Sequence, residues 1–196
     1  MYIKIVKRFI DILFSLISCI ILSPIMLLIA ILIKIDTEGP VLFCQKRVGI
    51  HKTFFPMYKF RTMCIHTPKD CPTHLLEDAN QYITPIGNFL RKTSLDELPQ
   101  LWNILKGDMS FVGPRPALWN QDDLIQLRDN NGSNDVRPGL TGWAQINGRD
   151  TLTLEKKAEY DGEYVKHISF LFDMKCIVGT VSSVITRDGI KEGGES

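Results

Sequence analysis

The sequence carries almost no net charge. Its 196 residues include 23 lysines and arginines against 22 aspartates and glutamates, which gives a formal charge of +1. A chain with this balance lacks the overall basic character of a general nucleic-acid binder. The length is enough for one well-buried core, and we expect a single catalytic domain.

A regular cysteine framework is also missing. The five cysteines are an odd number without regular spacing, and Cys19 lies inside an apolar run. This pattern argues against a disulfide scaffold and favours reduced thiols on a cytosolic face. Cys64, His66, Cys71 and His74 are of the residue types that bind zinc, but their close spacing matches no standard zinc module, and we expect a loop there.

Charge is absent altogether from residues 12–33. As a helix this segment would extend roughly 33 Å, which is enough to cross a bilayer core of about 30 Å. The run is too long for a cleaved signal peptide, and no small-residue cleavage site follows it. We therefore expect residues 1–35 to contact a membrane.

The orientation of this segment follows from its proline and its flanking charges. Pro24 removes a helix hydrogen bond at the middle of the run and predicts a bend, where the Ser23 hydroxyl can serve the freed carbonyl. Basic residues flank both ends, so the positive-inside rule places both ends on the cytoplasmic side. They are Lys4, Lys7 and Arg8 before the run, and Lys34, Lys46 and Arg47 after it. We favour a re-entrant helix bent at Ser23-Pro24 over a kinked span.

Acidic residues are missing from residues 44–69, a stretch in which cations alternate with aromatic side chains. We call this stretch the basic strip. It fits an anionic membrane surface, single-stranded nucleic acid, a nucleotide diphosphate, or a solvated strand or loop. Its cations are Lys46, Arg47, Lys52, Lys59, Arg61 and Lys69.

Two adjacent carboxylates, Asp96 and Glu97, lie at a predicted helix start. Pro99 is tolerated only in a first turn, Ser94 and Glu97 have the spacing of a capping box, and Gly107 is typical of a helix end. Neighbouring residues on a helix diverge by about 100°, so the two acids are expected to have different roles. Taken alone, the pair also fits two solvated acids at a helix N-terminus.

Arginines at rigid turns favour phosphate chemistry for this pair. Arg91 precedes the acids, Arg115 stands between two prolines, and Arg137 opens a predicted turn. We expect a strand at residues 140–146 and a second turn that exposes Arg149. Such a set of guanidinium groups predicts a pocket for a phosphate-rich substrate.

Near the C-terminus, residues 154–166 predict an amphipathic helix and residues 168–185 a largely apolar one. Its uncharged part is too short to span a bilayer, so we expect a core helix or one in the membrane interface. The predicted fold is mainly α with a small β element (α+β): a membrane helix at residues 1–35, a catalytic domain at 36–190 and a flexible tail at 191–196.

Three motifs resemble those of the bacterial sugar transferases, the monotopic phosphoglycosyl transferases, in their small minimal form. They read YKFRTM at residues 58–63, SLDELPQLWNILKGDMSFVGPRP at 94–116 and VRPGLTGWAQINGR at 136–149. The likeness covers nearly the whole chain, except for residues 64–82 and the last few.

The resemblance implies transfer of a sugar 1-phosphate from a UDP-sugar to polyprenyl (undecaprenyl) phosphate at the cytoplasmic face of the bacterial inner membrane. UMP leaves, and the product starts glycan or glycoconjugate synthesis, with downstream glycosyltransferases as candidate partners. Asp96 would be the nucleophile that forms an aspartyl phosphosugar. Glu97 would support metal binding or proton transfer, and Mg²⁺ would bind at Asp96 and Glu97.

The same resemblance implies substrate contacts by basic side chains, while nucleic acid is not expected as a partner. Arg91 and Arg115 match phosphate-handling positions, Arg149 matches a nucleotide contact, and Lys59 and Arg61 would face the same pocket. Arg137 is a further expected substrate contact. The alternative is a non-catalytic membrane module that binds polyprenyl phosphate or anionic lipid through the basic strip.

Overall fold

The computed structural model describes residues 2–67, 79–148 and 151–186. Within these ranges the chain is mainly helical with two small sheets, which confirms the predicted α+β class. The helices are α1 Lys7–Asp36, α2 Pro85–Lys92, α3 Gln100–Lys106, α4 Asp122–Asp129, α5 Trp143–Ile146, α6 Leu154–Lys166 and α7 Phe170–Thr186. The strands are β1 Leu42–Val48, β2 Phe54–Phe60, β3 Ser110–Val112 and β4 Gly139–Thr141.

Strands β1 and β2 form an antiparallel hairpin whose inner face covers α3. Arg47 is paired with Phe55, and Gln45 with Met57. Because side chains alternate along a strand, these four residues share one face with Lys59. Phe55 and Met57 pack in a core cluster with α3, so the polar members of the same face are carried to the N-terminal side of that helix.

Strands β3 and β4 are short and parallel, and the chain between and after them is tightly packed. A Cβ at Gly113 would lie 2.4 Å from the carbonyl oxygen of Arg137, so only glycine fits this approach of two backbones. The strand predicted at residues 140–146 is wrong beyond Thr141, where helix α5 follows. One helical turn puts Trp143 and Ile146 on the same side, where both pack in the cluster formed with α6 and α7.

Helix α1 is one continuous helix of 30 residues with Pro24 inside it. Pro24 cannot donate to the carbonyl of Ile20, four residues earlier, and the Ser23 hydroxyl donates to that oxygen instead at 2.8 Å. The predicted use of the Ser23 hydroxyl is therefore confirmed. The predicted bend and the division of the chain at residue 35 stay predictions.

A single stripe along α1 docks on the rest of the molecule from end to end. Near the start, Lys7 Nζ lies 2.5 Å from the Asp173 carboxylate, and Asp11 Oδ1 accepts from the Phe111 backbone N–H at 3.1 Å. Towards the end, Ile29 and Ile33 are buried in a cluster with α2 and β2. Both ends of the helix therefore contact the same globular body.

The outer side of α1 is apolar and exposed. It carries Phe9, Ile12, Leu13, Phe14, Leu16, Ile17, Ile20, Ile21, Ile25, Leu27, Leu28, Ile31, Leu32 and Ile35. The helix is long and apolar enough to cross a membrane, and 11% of its most apolar window is buried. A surface of this kind is typical of contact with lipid.

The predicted C-terminal helices are both present, and Asp173 explains the charge within the apolar one. Its carboxylate accepts hydrogen bonds from Tyr2 at 2.6 Å, Lys7 at 2.5 Å and Tyr164 at 2.7 Å. Asp173 is thus the anchor that joins α7 to the start of α1. Helix α7 also exposes Leu171 and other large apolar side chains.

The described cysteines, Cys19, Cys44, Cys64 and Cys176, are free thiols, as expected for a chain without a disulfide framework. Two members of the Cys/His cluster, Cys71 and His74, lie outside the described residues. Among the residues that are described, no group of three or more histidine, cysteine, aspartate or glutamate side chains is placed to hold a metal ion.

Candidate active site

The two acids lie on a tight turn that joins α2 to α3. Ser94 donates its backbone N–H to the Arg91 carbonyl at 3.1 Å and adopts a left-handed conformation with φ 55°. The 3-10 turn Leu95–Glu97 follows directly, and α3 begins only after Pro99. The turn thus places Asp96 and Glu97 between two helix ends.

The predicted capping box at Ser94 and Glu97 is wrong. Ser94 makes no side-chain cap hydrogen bond. An N-cap needs an extended backbone, whereas Ser94 is already used to close the end of α2. The predicted helix end is confirmed, because Gly107 terminates α3 with φ 101°.

The carboxylate pair (Asp96 and Glu97) is buried against two cations. Lys59 Nζ lies 2.7 Å from Glu97 Oε1 and 3.5 Å from Asp96 Oδ2, while Arg115 Nη2 lies 3.3 Å from the same Glu97 oxygen. The side chains of Asp96 and Glu97 are 11% and 13% exposed. Glu97 therefore makes the close ion pairs, and Asp96 stands farther from its cation.

Burial dominates the electrostatics of Asp96. It raises the pKa of the Asp96 carboxyl above its ordinary value, and the negative charge of Glu97 raises it further. Lys59, Arg91 and Arg115 act in the opposite direction without reversing the shift. An ionised carboxylate with little hydration is well suited to act as a nucleophile.

Arg47 is a member of this site that the sequence did not identify as functional. It lies on the inner face of β1, where Nη1 donates to the Pro116 carbonyl at 3.0 Å and Nη2 to Gln45 Oε1 at 2.5 Å. Burial and the charge of Arg115 lower the pKa of Arg47 to about 9, and Glu97 partly offsets them. The sequence shows that Arg47 and Gln45 are two residues apart and would share one face of a strand. It does not show whether that face points towards the acids.

The basic strip therefore divides between two faces of the hairpin. Arg47 and Lys59 point inward to the carboxylate pair. Lys46 points outward, with Nζ 4.1 Å from the Phe54 ring centre, and Lys52 pairs with Asp129 on the surface at 3.0 Å. Single-stranded nucleic acid is thus a poor partner for the strip, because its inner cations are buried.

Two predicted substrate contacts lie elsewhere in the fold. Arg61 donates to the backbone carbonyls of Thr37 and Glu38, just after the end of α1. Arg137 Nε donates to the Gly107 carbonyl at 2.9 Å. Gly107 lies at the end of α3 that is distant from the carboxylate pair, and α3 itself is roughly 10 Å long. Arg149 lies outside the described residues. The structure brings together Lys59, Arg91, Arg115 and the carboxylate pair.

The donor set suits Mg²⁺ in one respect. In phosphoryl-transfer sites this ion is commonly held by one or two carboxylates and completes its shell with waters and substrate phosphates. Asp96 and Glu97 supply two such carboxylates on one turn. A site of this type needs no third protein ligand.

Comparison with known proteins finds one family whose model matches nearly the whole chain. The family model for the bacterial sugar transferases matches residues 2–187. The chain belongs to this family. The sequence prediction of a sugar transferase of the phosphoglycosyl type is confirmed at this level.

The relatives of this bacterial sugar transferase differ in how much of their own length the chain covers. An uncharacterized sugar transferase, EpsL of Bacillus subtilis, is 41% identical over 188 residues, which cover 96% of this chain and 91% of the relative. The UDP-glucose:undecaprenyl-phosphate glucose-1-phosphate transferase of Escherichia coli is 40% identical over 185 residues, 91% of this chain and 40% of the relative.

A third relative is the UDP-N-acetylgalactosamine-undecaprenyl-phosphate N-acetylgalactosaminephosphotransferase of Aeromonas hydrophila. It is 37% identical over 194 residues, which cover 95% of this chain and 45% of that protein. The chain thus spans less than half the length of the E. coli and A. hydrophila relatives.

Proposed function

We propose that this sugar transferase moves a sugar 1-phosphate from a UDP-sugar to polyprenyl phosphate, releasing UMP and forming a polyprenyl diphosphate sugar. The observation that carries the proposal is the buried carboxylate pair with Lys59, Arg91 and Arg115 around it. Cations of this kind match the charge of a nucleotide diphosphate. The names of the E. coli and A. hydrophila relatives state the same donor and acceptor classes.

In the first step, a carboxylate oxygen of Asp96 attacks the phosphorus that bears the sugar. The new bond is an acyl phosphate, the bond to the UMP oxygen breaks, and UMP leaves with the electron pair. Arg115 and Lys59 lie where they can take up charge on the transferring phosphoryl oxygens. Arg91 adds a third positive charge beside Asp96.

In the second step, an oxygen of polyprenyl phosphate attacks the same phosphorus. The diphosphate bond forms and the Asp96 carboxylate is released. Glu97, held by Lys59 and Arg115, keeps those cations beside the reacting group. Mg²⁺ held by Asp96 and Glu97 would neutralise charge on the two phosphates.

The setting proposed for this reaction is the cytoplasmic face of the bacterial inner membrane. The outer face of α1 provides the lipid contact, and both ends of the helix dock on one globular body. This docking favours a re-entrant helix, because a helix that crossed the bilayer would carry its two ends to opposite sides. Asp96 would then meet a soluble donor and a lipid acceptor at one surface.

Intact-protein mass spectrometry tests the covalent route. The purified protein, incubated in detergent with a UDP-sugar and Mg²⁺ but without lipid, should gain the mass of one phosphosugar and release one equivalent of UMP. Asp96→Asn is the matched control and should gain none. Lipid product formed by a protein that never gains this mass would contradict the covalent intermediate, and absence of UMP release with every donor would contradict the transferase itself.

The donor is identified by a panel of UDP-sugars scored by UMP release. Hexoses, N-acetylated hexosamines and diamino sugars differ in the groups around the ring, so a single preferred member is expected. Equal rates with every member would contradict a selective donor site.

A further inference from the structure

The loop that presents Arg115 has few backbone N–H groups of its own. Pro114 and Pro116 have no backbone N–H, so two of its residues cannot donate a backbone hydrogen bond. Its carbonyl oxygens therefore depend on donors from elsewhere in the chain. The hydrogen bonds from those donors determine how firmly the backbone at Arg115 is held.

Four consecutive carbonyl oxygens of this loop each accept a hydrogen bond from a donor outside the loop. The Pro114 oxygen accepts from the Gly139 N–H at 2.9 Å, and the Ala117 oxygen accepts from the Val48 N–H at 3.0 Å. Between them, the Arg115 oxygen accepts from Arg128 Nη1 at 2.9 Å, and the Pro116 oxygen accepts from Arg47 Nη1 at 3.0 Å. Two guanidinium groups thus hold the two central carbonyls. We call Arg47 and Arg128 the arginine clamp.

Each member of the arginine clamp is itself fixed by a second partner. Arg128 donates through Nε and Nη2 to Asp161 Oδ2 at 2.9 and 2.5 Å, and this pair is almost fully buried. Arg47 donates to Gln45 Oε1. A guanidinium held at two places is rigid, so the loop carbonyls have little freedom to move.

Placing a buried cation, Arg128, and a partly buried one, Arg47, under a loop costs desolvation free energy, and a need for precise positioning accounts for that cost. A buried charge is costly to desolvate, and apolar side chains of similar volume could fill the same space. The loop that these cations hold places Arg115 Nη2 3.3 Å from Glu97. A shift of about 1 Å in such a group can lower a rate by about 10²-fold.

The two members of the clamp differ in charge balance. Arg128 is neutralised by Asp161, whereas Gln45, the side-chain partner of Arg47, is neutral. The charge of Arg47 acts on Arg115 and Glu97 instead: Arg115 contributes to the lowered pKa of Arg47, and Glu97 partly offsets it. Arg47 is therefore the member whose removal is felt most directly in the site.

We propose that Arg47 is a positioning residue for the transfer reaction: together with Arg128 it fixes the Pro114–Pro116 backbone so that Arg115 meets the substrate phosphate. This inference rests on the proposed function, in which Arg115 contacts a phosphoryl oxygen. Arg47 acts through Arg115 and makes no substrate contact of its own.

A double-mutant cycle tests this dependence. Arg47→Gln, Arg115→Gln and the double variant are compared in detergent by kcat and KM for UMP release. Arg47→Gln should lower kcat by about 10²-fold with KM changed by less than about threefold. In the Arg115→Gln background the same substitution should change kcat by less than about threefold, because the group it positions is already gone.

Two further variants separate positioning from folding. Arg47→Lys keeps a donor for the Pro116 carbonyl and should recover part of kcat. Lys46→Gln removes the neighbouring cation, which points away from the site, and should leave kcat unchanged. If Arg47→Gln unfolds, Gln45→Met replaces it in the cycle, since it removes the side-chain acceptor of Arg47 and leaves the guanidinium in place.

The outcomes distinguish the inference from the proposed function. Multiplicative losses in the double variant, or loss of thermal stability with kcat per folded molecule unchanged, would overturn the positioning role while UMP release by the wild type stands. An Arg115→Gln variant with full activity would overturn it as well. Absence of UMP release by the wild type would instead remove the proposed function.

Discussion

Asp96 and Asp173 are both buried aspartates, 8% and 3% exposed, yet their surroundings differ. Asp173 accepts from Tyr2, Lys7 and Tyr164, all within 2.7 Å. Asp96 has its nearest ion-pair contact to Lys59 at 3.5 Å. A carboxylate supplied with short donors ties helices together, whereas one held at a distance from its cation keeps its oxygens available for chemistry.

The difference has a direct physical origin. Three short hydrogen bonds offset the loss of hydration when Asp173 is buried. Asp96 loses hydration without comparable donors, and its pKa is raised for that reason.

Asp96→Asn should have the largest effect. Replacing the proposed nucleophile by an amide is expected to lower UMP release by at least about 10⁴-fold, since loss of the attacking carboxylate removes the proposed covalent route. The fold should persist, because a neutral amide is easier to bury than a charge. UMP release and thermal unfolding measure the two quantities, and a variant that keeps a tenth of the activity would contradict the role of Asp96.

Asp173→Ala should mainly affect stability. It leaves Lys7 buried without its carboxylate, and breaking a buried pair in this way costs about 3–5 kcal/mol of unfolding free energy. Denaturant unfolding in detergent measures this loss. Glu159→Ala, which breaks the exposed pair with Lys156, is the matched control and should change little.

Tyr164→Phe should weaken the same anchor by a smaller amount. The phenol donates to Asp173 at 2.7 Å and lies 3.1 Å from the Val112 carbonyl. Losing it should lower the unfolding free energy by about 1–2 kcal/mol and leave the Lys7 pair in place. A loss as large as that of Asp173→Ala would show that the hydrogen bond from Tyr164 on α6, and not the ion pair with Lys7, accounts for most of the stability that Asp173 provides.

The smallest expected change is the pH dependence of the Asp96→Asn difference. Because the folded pKa of Asp96 is raised, the wild type is favoured at pH below the ordinary carboxyl value and loses that stability as pH rises through the folded pKa. Asparagine does not titrate. Thermal unfolding from pH 3 to 8 should therefore show the variant gaining on the wild type as pH rises, and a wild type that gains on the variant over this range would contradict the shift.

The parts of the fold that the sequence predicted rest on local rules. Gly107 ends α3 because glycine accepts a left-handed backbone, and Ser23 serves the carbonyl freed by Pro24. The capping box at Ser94 failed because Ser94 closes α2, a demand set by the preceding helix. Residues 143–146 became helical because both neighbouring helices contact one side of that segment.

The structure brings the two predicted acids together with some of the predicted cations and places the others elsewhere. The carboxylate pair, Lys59, Arg91 and Arg115 are brought together. Arg47 was not identified, and Arg61 and Arg137 instead bind backbone carbonyls near the end of α1 and at the end of α3. Arginine suits phosphate and carbonyl oxygen equally well, so its residue type could not distinguish these roles.

By itself, the sequence determined the apolar membrane segment, the acids at a turn before α3 and the family. These features depend on residues that are near one another in the chain. Tertiary structure alone decided which cations meet the acids, since Lys59 and Glu97 are 38 residues apart in the chain. Such contacts depend on which face of a hairpin is buried, and that is settled when β1, β2 and α3 pack together.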